Sequence, residues 1–443
     1  MSLRHPLAVI VFVATFARAA GPPPGVVGKD GWLFYRYEAV DASVANDVKA
    51  TVTAVARLVR VLAKNDVPVV VTLVPVKMRI YQQYLPSDFP ITQHTLGQYQ
   101  QYARALQAQK VPFIDLDSPF LASPKRDSDT PLFLHLDTHW SPTGAALAAE
   151  TIKAGIDADP KLRAAVESVP AAKYRLTWET KKARSPANDL TAQLPNGAPK
   201  FEREPVLGFT VKREKAEGGL LDDTGPAITL LGSSYSADWT QFPAALRNAL
   251  QRDVLSIAVP ATQGSWIGME TYLRDDAFQT HRPKLIVWEL PERDMHAPPD
   301  FRYREARYIV DNTDWLLRAA AWATAKCEPG QATAKAATGK LAEARPSKDG
   351  DWVEIAFTKP LERLEYVFAR LTTHGASRIR LEATGPGSSP RKFELDVAGD
   401  DEPHNFKTPL GKGYDRLRIT PGATHKFKLE DVRVCRQMEG LLD

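Results

Sequence analysis

Residues 67–74 read Val67-Pro68-Val69-Val70-Val71-Thr72-Leu73-Val74, a continuous run of mostly β-branched apolar side chains. Shorter apolar runs follow along the chain at Val111–Leu116, Ala227–Leu231, Leu255–Val259 and Lys284–Leu290. Stretches with the apolar spacing of helices accompany them at Val48–Ala63, Gln93–Gln109, Thr143–Ile156, Pro243–Gln251 and Met269–Phe278. Strands that are apolar on both faces and alternate with helices are typical of a parallel sheet covered on both sides. We therefore predict an α/β/α sandwich with a parallel central sheet, whose ligands bind beyond the carboxyl ends of the strands.

The sequence changes character after Cys327, where a loose stretch at Gln331–Lys348 precedes short segments of alternating polarity. These segments are Trp352–Thr358, Leu364–Leu371, Arg378–Ala383, Lys392–Val397, Arg416–Ile419 and Lys426–Val434. Many short strands at this spacing indicate an antiparallel β-sandwich. We therefore divide the chain into a signal peptide at 1–20, an α/β domain at 26–326 with an elaboration at 157–223, and a C-terminal β-sandwich at 327–443.

The beginning of the chain has the pattern of a secretory signal peptide. Arg4 and His5 precede the apolar run Pro6–Phe16, and Ala17-Arg18-Ala19 has the small residues of a cleavage site. The run is well short of the roughly 20 residues that span a bilayer. We expect cleavage and export to the periplasm, with an uncleaved anchor as the alternative.

Two cysteines occur in the chain, Cys327 and Cys435. In an oxidising compartment such a pair is expected to form a disulfide, here between the beginning and the end of the C-terminal segment. Two buried thiols are the alternative.

Composition excludes some classes of function. The net charge is +4 over 443 residues, which predicts no nucleic-acid partner and is compatible with an acidic polymer as substrate. The nine histidines are scattered, and neither an H-x-x-H nor a C-x-x-C pattern nor a glycine-rich phosphate loop occurs. We therefore predict no metal and no cofactor.

Two short motifs supply the parts of a serine acyl-transfer site. Asp137-Thr138-His139-Trp140 places a carboxylate beside an imidazole, directly before a helix that Ser141-Pro142 begins. Gly232-Ser233-Ser234-Tyr235-Ser236 places serines where an apolar strand ends. A serine needs a base to take its proton and a carboxylate to orient that base. Each motif has an ordinary alternative, a metal half-site or capped turn for the first and a plain strand end for the second.

The combination of motifs resembles a known family. The chain resembles the SGNH-hydrolase-like domain of the bacterial alginate O-acetyltransferases AlgX and AlgJ. The residues that carry the resemblance are Gly31-Trp32-Leu33-Phe34, Val74-Pro75-Val76-Lys77, Tyr84-Leu85-Pro86, Asp137-Thr138-His139-Trp140, Gly232-Ser233-Ser234-Tyr235-Ser236 and Trp288-Glu289-Leu290-Pro291-Glu292-Arg293. They extend from Gly28 to His296, in the order Asp, His, Ser. The C-terminal β-sandwich is similar to a carbohydrate-binding module found in the AlgX branch, to which we expect this chain to be closer.

This resemblance implies a function and roles for the motif residues. Ser234 would carry an acetyl group, with His139 as its base and Asp137 orienting that base; Ser233 is the alternative nucleophile. The implied activity is periplasmic O-acetylation of an acidic exopolysaccharide such as alginate, within a polysaccharide biosynthesis and export complex. An acetylesterase or a non-catalytic polysaccharide-binding scaffold are the other interpretations.

Further residues at predicted strand ends are candidates for supporting roles. Lys77, Glu292 and Arg293 could bind a carboxylated sugar, or could form internal ion pairs. Gly264 could supply an oxyanion N–H, or could be part of a plain turn. In the C-terminal segment, aromatic and basic side chains could form a polyuronate platform or a solvated basic face; they are Trp352, Tyr366, Tyr414, Arg378, Arg380, Arg391, Lys392, Lys407, Lys412, Arg416 and Arg418.

Overall fold

The computed structural model describes residues 22–214, 226–260, 263–334, 352–373, 378–397, 401–421 and 428–443. The predicted signal peptide at 1–20 and most of the loose stretch at 331–348 lie outside these residues.

The helices are α1 Ala45–Lys64, α2 Lys77–Ile80, α3 Gln93–Ala108, α4 Asp117–Ala122, α5 Pro142–Ala158, α6 Pro160–Glu167, α7 Phe242–Leu250, α8 Ser265–Arg274, α9 Asp276–Thr280 and α10 Asn312–Ala323. The strands are β1 Gly25–Val27, β2 Leu33–Tyr35, β3 Val69–Val74, β4 Phe113–Ile114, β5 Tyr174–Trp178, β6 Ala183–Arg184, β7 Pro205–Val206, β8 Phe209–Arg213, β9 Ile228–Gly232, β10 Val254–Ala258, β11 Leu285–Pro291, β12 Glu328–Pro329, β13 Val353–Ala356, β14 Glu365–Thr372, β15 Arg378–Gly385, β16 Ser388–Asp396, β17 Pro403–Thr408, β18 Arg416–Pro421 and β19 Lys428–Arg436. No helix among the described residues combines the length and the apolar character needed to cross a membrane.

The central sheet has the strand order β10-β9-β11-β3-β4, and every neighbouring pair is parallel. Successive side chains of a strand point to opposite faces. Accordingly Val70 and Val74 of β3 belong to a core with α5 and α7, whereas Val69, Val71 and Leu73 belong to a second core with α1, α3, α8 and α10. The predicted α/β/α sandwich is confirmed. Its carboxyl edge brings together the ends of β3, β9 and β11.

The segment predicted as an elaboration at 157–223 forms α6 and two small antiparallel pairs, β5 with β8 and β6 with β7. A short 3₁₀ helix, Asp189–Gln193, lies between β6 and β7 along the chain and places Leu190 in a small core with Leu33 and Leu136. This segment therefore packs against the loop that contains Asp137.

The C-terminal residues form two four-stranded antiparallel sheets, with the orders β12-β19-β14-β17 and β13-β18-β15-β16. Apolar side chains from both sheets meet in one core, as expected for the predicted β-sandwich. Cys327 and Cys435 form a disulfide that joins its first strand region to its last strand, as predicted. The strand Pro403–Thr408 was not predicted, because its sequence PHNFKT has no regular alternation of polarity.

The sandwich is attached to the α/β part by its own polar and apolar contacts. Lys407 donates to the Thr324 carbonyl at 2.7 Å, and Arg391 pairs with Asp314 at 2.6 Å. Lys407 and Tyr366 are buried. The prediction that these two side chains belong to an exposed polyuronate platform is therefore wrong.

Most of the other basic residues of the predicted platform have acidic neighbours. Arg378 and Arg380 both bond to Glu394 across the β15–β16 pair, and Arg418 bonds to Glu354. Cross-strand pairs of this kind neutralise much of the positive charge of the surface. This pattern favours the solvated-face interpretation of the sheet.

Candidate active site

Ser234 lies at the carboxyl edge of the central sheet, where β9 ends at Gly232 and the 3₁₀ helix Ser234–Ser236 begins. A Cβ atom at position 232 would collide with the side chain of Ser236, so the turn requires glycine. The turn leaves Ser234 partly exposed, while Ser233 and Ser236 are buried.

A buried carboxylate holds this turn from the neighbouring strand. Glu289 of β11 is fully buried, and its carboxylate accepts the Ser233 N–H at 2.8 Å, the Ser233 hydroxyl at 3.0 Å and the Ser236 hydroxyl at 2.8 Å. Burial raises the pKa of Glu289 to about 7, despite these hydrogen bonds. Ser233 is thus oriented away from the imidazole, which leaves Ser234 as the nucleophile candidate. The sequence signal for the role of Glu289 in holding the turn was a glutamate inside an otherwise apolar strand.

His139 connects Ser234 to Asp137. Its Nε2 lies 2.7 Å from Ser234 Oγ, and its Nδ1 lies 2.6 Å from Asp137 Oδ1. Both His139 and Asp137 are buried. The structure therefore brings the three predicted side chains into one chain of hydrogen bonds.

The loop that carries Asp137 and His139 is short. Phe133 and Trp140 form a β-bridge across it, and Ser141 caps α5 immediately afterwards.

The electrostatics of Asp137 determine the tautomer of the histidine. Burial alone would raise the pKa of Asp137, but the hydrogen bond and charge of His139 and the N–H of Asp189 outweigh it and hold the pKa below the usual range. An ionised Asp137 accepts a hydrogen bond from the Nδ1–H of His139, so Nε2 carries no proton and is free to accept a hydrogen bond from the Ser234 hydroxyl. The arrangement can take a proton from a serine.

Asp189 is part of the same polar cluster and was not predicted. Its N–H donates to Asp137 Oδ2 at 2.7 Å, and its carboxylate accepts the N–H and the hydroxyl of Thr138 at 2.8 and 2.6 Å. Possible metal-ligand atoms of Asp137, His139 and Asp189 lie within 4.8 Å of one another. Hydrogen-bond donors already engage these oxygens, so the donor set fits a proton-transfer chain better than a metal centre.

Lys77 supports the Asp137 loop from beneath. Its ammonium group donates to the carbonyls of Leu33, His135 and Asp137 at 2.6, 2.9 and 3.0 Å, and the residue is fully buried. Burial lowers the pKa of Lys77 to about 8. The prediction that Lys77 binds substrate is therefore wrong, because all three donors are used inside the protein.

Glu292 is also internal. Its carboxylate forms a two-pronged pair with the buried guanidinium of Arg79, with both contacts at 2.6 Å, and accepts the N–H of Val76 at 2.8 Å. Arg79 pairs with Asp117 as well, at 2.7 Å. This network ties the end of β11 to the end of β3, and it corrects the prediction that Glu292 contacts substrate.

Arg293 lies closer to the proposed chemistry. Its guanidinium is 3.4 Å from the hydroxyl of Tyr235, and its side chain is 12% exposed. The ring of Tyr235 in turn lies 4.7 Å from the imidazole of His139. The guanidinium is 3.8 Å from the carboxylate of Glu38, so it belongs partly to an internal pair. A substrate-binding role for Arg293 stays a prediction.

The predicted oxyanion donor Gly264 is engaged elsewhere. Its N–H donates to the carbonyl of Pro260 at 3.3 Å, and its left-handed backbone precedes α8. This contact supports the plain-turn interpretation and corrects the oxyanion assignment.

Comparisons with known proteins identify the family of the α/β part of the chain. A family profile described as "SGNH hydrolase-like domain, acetyltransferase AlgX" matches residues 26–292. The chain is 31% identical over 304 residues to the probable alginate O-acetylase AlgJ of Pseudomonas syringae pv. tomato. The aligned residues cover 66% of this chain and 74% of that protein.

Two solved structures share the fold. The O-acetyltransferase domain of Pseudomonas putida AlgJ superposes with a TM-score of 0.55 at 24% identity, covering 67% of this chain and 99% of that one. AlgX of Pseudomonas aeruginosa superposes with a TM-score of 0.60 at 16% identity, covering 94% of each chain, so that this match extends into the C-terminal sandwich. This chain therefore belongs to the AlgX family of SGNH hydrolase-like acetyltransferases.

Proposed function

We propose that this protein is an O-acetyltransferase that moves an acetyl group through Ser234 onto a hydroxyl of an acidic exopolysaccharide, with alginate as the polymer. The observation that carries the proposal is the hydrogen-bonded chain from Ser234 Oγ through His139 to Asp137, with distances of 2.7 and 2.6 Å. The names of the similar proteins support the choice of alginate. Catalysis by these three side chains is the central part of the proposal.

The first half of the reaction forms an acetyl-serine. His139 Nε2 takes the hydroxyl proton of Ser234, and Oγ attacks the acetyl carbonyl of the donor. Among the described residues the N–H of Ser234 has no hydrogen-bond acceptor, so it is free to donate to the oxyanion that develops. His139 then gives the proton to the departing group as the bond between the acetyl carbon and that group breaks.

The second half transfers the acetyl group. The polysaccharide hydroxyl gives its proton to His139 Nε2, and its oxygen attacks the acetyl carbonyl of the acetyl-serine. The bond between the acetyl carbon and Ser234 Oγ then breaks, and Oγ takes the proton back from His139. If water takes the place of the sugar hydroxyl, the same site is an acetylesterase. Arg293, near Tyr235, is our candidate for pairing with a sugar carboxylate.

The setting of the enzyme is also part of the proposal. We infer a signal peptide at 1–20 that is cleaved on export to the periplasm, an acetyltransferase domain at 26–326 and a carbohydrate-binding module at 327–443. The disulfide between Cys327 and Cys435 supports an oxidising compartment. Action within a polysaccharide biosynthesis and export complex completes the proposal.

The test uses a chromogenic acetyl ester, with and without alginate oligosaccharides, followed by mass spectrometry. We expect acetylated oligosaccharide and an acetylated Ser234 peptide from the natural protein, and neither from Ser234→Ala. Ser233→Ala is the matched control. This variant retains Ser234, the proposed nucleophile, and should still form the acetyl-enzyme. Acetate without acetylated sugar would indicate an esterase. Full activity of Ser234→Ala would overturn the proposal.

A further inference from the structure

Trp239 is an exposed aromatic side chain directly beside the proposed catalytic base. Within the part of the chain that the structure describes, the exposed large apolar side chains are Leu121, Trp178, Trp239 and Tyr303. Trp239 is 39% exposed, and its ring lies 4.8 Å from the imidazole of His139 in an edge-on arrangement. An indole that stays in water at this position has an apolar surface available to a ligand.

The backbone holds Trp239 in a defined position. It lies in the 3₁₀ helix Asp238–Thr240, which follows the nucleophile turn after a single residue. The hydroxyl of Thr240 is placed to donate to the carbonyls of Tyr235 and Ala237 at 2.8 and 2.7 Å. The backbone that carries the indole is therefore held close to Ser234 and is not part of a long loop.

A second exposed tryptophan is connected to the same segment. Trp178 of β5 is 40% exposed and lies opposite Phe209 of β8, with ring centroids 5.1 Å apart. The side-chain amide of Gln241 accepts from Phe209 N–H at 3.2 Å and donates to its carbonyl at 2.9 Å. Since Gln241 is two residues after Trp239, this amide joins the two segments that carry the exposed indoles.

The chemistry of the acceptor explains this arrangement. The C–H bonds on the face of a pyranose ring are partly positive, whereas the face of an indole is negative, so the two stack favourably. In the transfer step a sugar hydroxyl must reach His139 Nε2 and the acetyl carbon on Ser234. A ring stacked on Trp239 lies beside that imidazole. Support for the imidazole itself is already supplied by the buried ring of Tyr235, 4.7 Å away.

We propose that Trp239 is the stacking platform for the pyranose ring that receives the acetyl group, and that Trp178 contacts a more distant ring of the same polysaccharide chain. This inference rests on the proposed acetyltransferase function and deepens it, because it names how the acceptor is held. Because Trp178 belongs to the elaboration at 157–223, the proposal also gives that segment a role: it favours binding of longer acceptor chains.

The experiment compares two rates in Trp239→Ala, Trp239→Phe and Trp178→Ala. The first is the burst of acetyl-enzyme formation from a chromogenic acetyl ester without acceptor. The second is acetyl transfer to short and to long alginate oligosaccharides, measured over a range of acceptor concentration. Leu121→Ala, which removes another exposed apolar side chain from α4, is the matched control and should change neither rate.

We expect Trp239→Ala to raise the acceptor KM by about tenfold, the effect of losing one aromatic stacking contact and its buried area, while the burst is preserved. Trp239→Phe should recover part of the loss. Trp178→Ala should raise the KM for long acceptors only. An equal fall of burst and transfer in Trp239→Ala would mean that the indole only supports His139, and an unchanged acceptor KM would remove the platform. No transfer by the natural protein would instead contradict the proposed function.

Discussion

The loop that carries Asp137 and His139 and the turn that carries Ser234 are both supported by a buried charged side chain, but the two charges have opposite signs. Lys77 lies beneath the loop and donates to three carbonyls, whereas Glu289 lies beneath the turn and accepts from one N–H and two hydroxyls. Each support comes from the end of a central strand or the residues just after it.

The difference follows from the polarity of the groups that face inward. A loop whose carbonyls point into the protein requires donors, and a turn whose N–H and hydroxyl groups point inward requires acceptors, because unpaired buried polar groups are costly. The cost of burying each charge is visible in the pKa values, which burial lowers to about 8 for Lys77 and raises to about 7 for Glu289. Burying each charge therefore costs free energy, and the hydrogen bonds to each group offset that cost.

We expect the largest effect from a substitution at Asp137, which tests whether orientation of the base His139 matters more than support of its loop. Asp137→Asn keeps the shape of the residue but removes the anion that selects the Nδ1–H tautomer of His139. By analogy with other serine triads we expect kcat to fall about 10³- to 10⁴-fold. The measurement is the acetyl-enzyme burst with a chromogenic ester.

Asp189→Asn is the matched control for this change. Asp189 bonds the same loop through Thr138 but makes no hydrogen bond to the imidazole among the contacts of the described residues. Its substitution should cost far less activity. Similar losses in the two variants would mean that loop support, and not orientation of the base, limits catalysis.

The α/β core and the three candidate catalytic residues could be predicted from the sequence because their signals are local. Strands such as Val69–Val74 are apolar on both faces, and Asp137-x-His139 contains its own hydrogen bond. The supports could not be predicted in the same way. The partners of Lys77 come from Leu33 and His135, and only the folded chain determines which carbonyls turn inward.

The wrong assignments have a related cause. Lys77 and Glu292 are at strand ends on the correct edge of the sheet, and position along a strand does not distinguish a side chain that points to solvent from one that is paired inside. Strand β17 was missed because its pairing with β14 depends on the neighbouring sheet and not on its own residues. Glu289 stands out in the sequence as a polar residue in an apolar strand, but its hydrogen-bond partners cannot be read from the sequence.

A second effect should appear when the cation beneath the loop is removed. Lys77→Met leaves the carbonyls of Leu33, His135 and Asp137 without their donor. Each buried carbonyl left unpaired costs about 1–3 kcal/mol, and relief of the buried charge offsets part of this, so we expect the free energy of unfolding to fall by about 3 kcal/mol. Denaturant unfolding followed by tryptophan fluorescence measures it.

Lys125→Met removes an exposed lysine and is the control for this substitution. We expect its midpoint of unfolding to match that of the natural protein. If Lys77→Met were equally stable and equally active, the carbonyls would have found other donors, and the ammonium group would not be the support that we infer.

The smallest expected effect concerns the carboxyl group of Glu289 beneath the turn. In Glu289→Gln the side chain keeps one acceptor oxygen for the Ser233 N–H and the hydroxyls of Ser233 and Ser236, so that the position of Ser234 becomes less defined. We expect kcat to fall about tenfold, the scale of a positioning defect of one hydrogen bond to a charged group. Glu382→Gln, a surface substitution on β15, is the matched control.

The pH dependence of stability identifies Glu289 more specifically than the rate does. Its pKa is raised from 4.5 to about 7 in the folded protein, so between these values the folded state binds a proton that the unfolded state has lost. Its contribution to stability is therefore complete below about pH 4.5 and is lost as the pH rises through 7. Asp137, with a lowered pKa, behaves oppositely and loses its contribution on acidification. Melting temperatures of Glu289→Gln and the natural protein should consequently shift in favour of the variant between about pH 5 and about pH 8. If the melting temperatures of the two proteins changed in parallel with pH across this range, Glu289 would not change its protonation state there. The group that holds the turn would then have a constant charge.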